Sequence, residues 1–165
     1  MLLGDLVETS TRLAATRSRL EKTRLLADLL RRARGREIEL VVDYLSGVLP
    51  QGRIGVGWSM IQRAESGGAG AAAAPSLALA EVDAVFERLR SIAGAGSQEA
   101  RIRELATLLA RATADERSFL VRLLGGELRQ GALEGVMEEG IIAASGLPKQ
   151  RVRHAIMVAG AAGEV

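Results

Sequence analysis

The chain has no cysteine, and among its 165 residues there are one tryptophan, one tyrosine, two phenylalanines and one histidine. Without cysteine there is neither a disulfide framework nor thiolate chemistry. Hydrophobic residues make up 48% and aromatics only 2%. The core must therefore be Leu, Val, Ile and Ala, a composition suited to packed helices. A lone His154, with no cysteine, offers no metal-ligand cluster, and no Ser–His–acid set can be assembled around it. No apolar run of about 18 residues exists, so no membrane span is expected. Residues 1–20 lack the basic-then-apolar order of a signal peptide, which points to the cytoplasm. Lysine is scarce too: only Lys22 and Lys149 stand among 22 basic residues.

Charge is unevenly placed. The formal net charge is +2, but residues 1–63 carry +4, residues 64–147 carry −4 and residues 148–165 carry +2. A basic front and tail around an acidic middle can form a positive face suited to nucleic acid. Ordinary surface scatter reads equally well from charge alone.

One segment is present twice. Residues 22–54 align without a gap on residues 101–133 at a constant offset of 79, with 14 of 33 pairs identical. The identities concentrate at the end: Leu45/Leu124, Gly47/Gly126, Leu49/Leu128, Gln51/Gln130 and Gly52/Gly131. Such a duplication predicts two similar helix–turn units. The expected organisation is one domain with halves 1–65 and 76–165, joined by the Gly/Ala-rich segment 66–75.

Periodicity favours helices throughout. Leu26, Leu29, Leu30 and Ala33 form one stripe, as do Val82, Val85, Phe86 and Leu89. Thr9 or Ser10 is expected to cap a helix reaching about residue 33, Ser76 a helix over 77–92, and Ser97 a helix over 98–112. Thr113 with Glu116 has capping-box spacing. Gly47 and the Gly125-Gly126 pair stop their helices. Pro148 suits the first turn of a final helix over 149–159. No stretch alternates like a strand, so the expected class is all-α.

Chemistry is sparse. Glu134 and Glu138 stand one helical turn apart, as a solvated helix face would place them. The run from Gly52 to Gly57 lacks a preceding strand, the G-x-G-x-x-G order and a Walker lysine, which rejects a nucleotide loop. The paired turns say more. Glycine lets main chain approach a surface closely and offer N–H groups to phosphate oxygens. Arg53 and Arg129 add charge beside them, and Leu49, Ile54 and Leu128 are short apolar groups able to lie against deoxyribose. Such a surface reads backbone shape and not base sequence. These glycines also read as plain helix C-caps and tight helix contacts, and spacing does not separate the two. Lys149, Arg151 and Arg153 crowd a helix start, where cations oppose the dipole unless an anion binds nearby; a solvated basic end is the other reading. A helical protein–protein interaction scaffold is the alternative from a different functional class; it would expose a large apolar patch.

At these residues the chain resembles a family. Residues 119–141, with Gly126-Glu127-Leu128-Arg129-Gln130-Gly131, are similar to the Gly-x-Leu-Arg-x-Gly signature of the N-terminal DNA-binding domain of bacterial ATP-dependent DNA ligases. Residues 45–58 resemble the matching upstream turn, and the likeness extends over the chain. It implies an all-helical domain with internal pseudo-two-fold symmetry, gripping the minor groove of nicked or intact duplex DNA near the nucleoid. By that resemblance Gly47, Leu49, Gln51, Gly52, Arg53, Ile54 and Gly55 form one DNA loop. Gly126, Leu128, Arg129, Gln130 and Gly131 form the other, with Lys149, Arg151 and Arg153 as further phosphate contacts. Pro50 stands where the second turn has Arg129, so the two loops cannot touch DNA identically. Family members adenylate a Lys-x-Asp-Gly lysine, and neither Lys22 nor Lys149 stands in that context. No catalytic residue and no cofactor are expected within these residues. ATP and magnesium belong to the full-length ligase, whose adenylation and OB-fold domains are expected partners.

Overall fold

The structure, a computed structural model, describes residues 1–67, 70–128 and 134–159. Among these, all regular structure is helical: α1 (Leu3–Ala15), α2 (Arg19–Arg32), α3 (Glu37–Leu45), α4 (Trp58–Ser66), α5 (Leu79–Ser91), α6 (Ser97–Arg111), α7 (Ala114–Leu124), α8 (Glu134–Ser145) and α9 (Lys149–Ala159). The expected all-α class holds. A single antiparallel bridge joins Leu2 to Ala78.

Local chemistry explains the boundaries. The helix expected to run to residue 33 is two helices. Thr9 does not cap; its hydroxyl donates to the Asp5 carbonyl one turn back, inside α1. The break falls where Thr16 Oγ1 accepts from the Ser18 N–H, and Ser18 then caps α2 by accepting from the Glu21 N–H at 3.3 Å. Small hydroxyl side chains compete with the helix for backbone groups, and here they win. α5 starts after Ala78, not Ser76, with Glu81 reaching back to the Ala78 N–H at 2.9 Å. Ser97 is the first residue of α6 and its cap is Gly96. At Thr113 the capping box forms with both bonds in place, Glu116 N–H to Thr113 Oγ1 at 3.3 Å and Thr113 N–H to Glu116 Oε2 at 2.8 Å. In the first copy Arg34 stands where Thr113 stands in the second. Only the Glu37 half of the box exists there, and α3 starts later in the repeat than α7.

The duplication is carried into the helices. Shifted by 79, α2 and α3 fall on α6 and α7, and α4 falls on α8. The helix contacts are exchanged: α2 packs on α8, and α4 packs on α6. Each copy thus lends its third helix to the first helix of the other. The chain accordingly groups into two compact units. One holds Met1, Asp5–Val48 and the helices following Leu128; the other holds Leu2–Gly4 and Leu49–Glu127. The breaks, 48/49 and 127/128, are themselves 79 residues apart. Segment 66–75 therefore lies inside the second unit. Its described part is fastened there: the Ala72 N–H donates to the Ala112 carbonyl at 2.9 Å, and the Arg117 guanidinium donates to the Gly70 carbonyl.

In the first unit Leu26, Leu29, Leu30, Leu40, Val41 and Tyr44 are buried; in the second Leu79, Val82, Phe86, Leu89, Leu105 and Phe119 are buried. The α2–α8 contact is close because Gly140 has no side chain. A Cβ there would come within 2.7 Å of Leu26 Cβ. Arg19 adds a forked ion pair from α2 to Glu139 on α8, at 2.9 Å. That hydrogen bond is the main influence holding the Glu139 carboxyl below the usual carboxylate range; burial pushes the other way, and a second hydrogen bond from Thr23 with the positive charges of Arg19 and Lys149 adds to the lowering.

Two outcomes follow. Gly140→Ala should lower stability by about 1 kcal/mol in urea denaturation, because the overpacking cost of about 1–3 kcal/mol exceeds the helix-propensity gain. Because the Glu139 carboxyl is depressed in the folded state, its contribution is complete above the ordinary carboxylate value and is lost as pH falls through the folded value. The melting-temperature gap between wild type and Glu139→Gln should therefore be present at neutral pH and shrink as pH falls through the depressed folded value, below the ordinary carboxylate range.

Candidate nucleic-acid interface

Both turns begin with the same hydrogen-bonded motif. After α3, the Gly47 N–H donates to the Tyr44 carbonyl (3.1 Å) and the Val48 N–H to Asp43 (2.8 Å). After α7, the Gly126 N–H donates to Leu123 (3.2 Å) and the Glu127 N–H to Arg122 (2.9 Å). Each pair shifts onto the other by 79. These are Schellman caps, and the left-handed residue in each is the glycine, at φ 71° for Gly47 and 73° for Gly126. The plain C-cap reading describes both. Their N–H groups are spent on the helix and are not available to a phosphate. The same holds for Gly52, whose N–H donates to the Leu49 carbonyl at 2.8 Å.

In the second unit, residues 49–57 leave that cap toward α4. Gln51 and Ile54 are buried and Leu49 is partly so, whereas Gly52, Arg53 and Gly55 are exposed. The Gln51 amide donates to the Asp83 carboxylate on α5. Ile54 is in the core. These two side chains fasten the segment and present no surface on which deoxyribose could lie. Between them Arg53 projects, with neither an ion pair nor a side-chain hydrogen bond among the described residues. Under Gly55 sits Arg101, from α6. Its guanidinium donates to the carbonyls of Leu89 and Ile92, which end α5, and a Cβ on Gly55 would meet its Cζ at 2.9 Å. Cations suit a helix C-terminus, so this arginine both caps α5 and props the turn, with no carboxylate paired to it among the described residues.

In the first unit, Leu128 is buried, so it also anchors. Arg129, Gln130 and Gly131 lie outside the described residues. On α9, Lys149, Arg151 and Arg153 are exposed while Val152 between them is buried. They differ in availability. Arg153 is held by Glu138 at 2.6 Å, and Lys149 acts on the Glu139 carboxyl. Arg151 has no ion-pair partner among the described residues.

Sequence reasoning missed two residues here. Arg101 aligns with Lys22 as a basic pair in the duplication, but its reach to Gly55 is a long-range contact that spacing does not carry. Trp58, first in α4, is 53% exposed; the likeness to the upstream turn extends to it, but none of the contacts that the likeness implies is assigned to it. Among the described residues no group of three or more His, Asp or Glu is arranged to hold a metal ion, and no helix is long and apolar enough to cross a membrane.

Comparison with known proteins is consistent over the chain. Residues 61–142 match the family model described as DNA ligase N terminus. A probable DNA ligase of Saccharopolyspora erythraea is 52% identical over 97% of this chain, one of Anaeromyxobacter dehalogenans 50% over 98%, and one of Beutenbergia cavernae 46% over 100%. The chain spans about a third of the length of these relatives, 31% in each case.

The turn geometry makes a graded prediction. Gly47→Ala and Gly126→Ala should each cost about 1–2 kcal/mol, the penalty of a Cβ in the left-handed region. Gly57→Ala should be close to neutral, since its φ is −107° and nothing lies within 4 Å of the added carbon. Thermal melts of the three variants side by side check the order.

Proposed function

The chain belongs to the DNA ligase N terminus family, and from that premise we propose that it holds duplex DNA, nicked or intact, for an ATP-dependent DNA ligase. The observation that carries this reading is the exposed Arg53, free of ion pairing among the described residues, in a glycine-flanked turn that is fastened from beneath by Gln51, Ile54 and Arg101. A guanidinium held on a fixed turn meets phosphate oxygens with little loss of side-chain freedom. Arg151 on α9 offers a second such group. Because their own helices and turns use the N–H groups of Gly47, Gly52 and Gly126, attraction comes from these side chains and from shape complementarity. Contacts of this type track the sugar–phosphate backbone and carry no base code.

In this reading each turn addresses the minor groove of nicked or intact duplex, and Arg129, which stands where the first turn has Pro50, supplies contacts that differ from those of Arg53. Nucleotidyl transfer, with its ATP and magnesium, belongs to the adenylation and OB-fold domains of the parent protein. Lys22 and Lys149 lack the Lys-x-Asp-Gly context and do not fit a lysyl–adenylate site.

Fluorescence anisotropy with unrelated duplex sequences, at two salt concentrations, tests the reading. Affinity should fall steeply with salt. Arg53→Ala and Arg151→Ala should weaken binding to every sequence alike and reduce the salt slope by about one each. Arg129→Ala should do the same. Arg153→Ala should have the smaller effect, since Glu138 already holds that charge. Salt-independent binding, or none, overturns the proposal.

A further inference from the structure

The chain has four aromatic residues by its composition, and three of them, Tyr44, Phe86 and Phe119, are 0% exposed. The fourth and largest, Trp58, is 53% exposed. In a protein so poor in aromatics, leaving its one indole in water forfeits the largest single apolar burial available to it. The duplication sharpens the contrast. Carrying the 79-residue offset forward places Trp58 opposite Met137 on α8, which is 1% exposed. The same helix position is core in one copy and surface in the other. Core packing therefore does not account for Trp58.

Its neighbourhood in sequence and in the unit does. Trp58 stands five residues after Arg53, first in α4 and directly after the turn in which Gly55 and Gly57 are exposed and Gly55 lies over the Arg101 guanidinium. We propose that Trp58 is a DNA-contacting residue, its indole laid on the deoxyribose face of a duplex strand whose phosphate is taken by Arg53. Indole suits this: its apolar faces match the C–H surface of a sugar, and its Nε1–H can donate to an acceptor in the groove. An aromatic face on a sugar is also tolerant of sequence, since every nucleotide offers the same deoxyribose. The inference rests on the duplex-binding reading and adds a contact that the family likeness did not supply.

Because Trp58 is the sole tryptophan, its emission reports this position alone. The test titrates the chain with a fluorescein-labelled nicked duplex, reading label anisotropy, and with an unlabelled one, reading tryptophan emission. Expected are saturable quenching of Trp58 with the same midpoint as the anisotropy, roughly tenfold weaker binding by Trp58→Ala, and near-wild-type binding by Trp58→Phe. Melting temperature should be little changed in both, because the side chain is exposed. If anisotropy shows binding while emission is unmoved and Trp58→Ala binds like wild type, the inference fails and the duplex-binding reading stands. If anisotropy shows no binding, both fail.

Discussion

Two glycines in the left-handed region decide where this chain changes direction. At Gly47 and Gly126 a helix ends, its last carbonyls are satisfied by the next two N–H groups, and the chain leaves for the other compact unit. Only a residue without Cβ takes that conformation cheaply. Everything downstream of each cap, including the pairing of α4 with α6 and of α8 with α2, depends on the exit direction that the cap sets. The caps are therefore structural first. Any ligand-binding role of the turns is borne by what they project, not by the glycines themselves.

The same division of labour runs through the candidate interface. Gln51, Ile54 and Leu128 are buried and fasten the turns; Arg53 and Arg151 are exposed, with no acid paired to them among the described residues. Much of the remaining positive charge is engaged: Arg19 with Glu139, Arg63 with Glu99, Arg88 with Glu104 and Arg153 with Glu138. Exposed pairs of this sort add little stability, about 0–1 kcal/mol each.

Much of this was legible in the sequence, and for identifiable reasons. The all-α class followed from 3.6-residue periodicity, and the stripe Leu26, Leu29, Leu30 is buried where it was expected. The Thr113–Glu116 box and the helix over 149–159 are encoded locally, by spacing and by Pro148. Boundaries set by competition between weak local signals were not legible: Thr9 looks like a cap but bonds backward, and the break at 16–18 has neither glycine nor proline. The exchange of third helices was not legible either, because a repeat announces similar parts but not which copy each part packs against. At the candidate site, Arg53 could be named from charge beside a turn and Arg151 from a basic cluster at a helix start. The inward facing of Ile54 and Leu128, and the reach of Arg101 beneath Gly55, are consequences of tertiary packing that no spacing rule carries.

The exchange of helices has a consequence for the order of folding during synthesis. The second unit is almost continuous in sequence, Leu49–Glu127 with only Leu2–Gly4 brought from outside. The first cannot close until α8, ending at Ser145, has emerged to cover α2. On a ribosome, with synthesis proceeding from the N-terminus, α2 and its leucines are made early yet wait longest for their partner. The basic N-terminal segment thus waits with an apolar stripe uncovered until the chain has been made as far as Ser145.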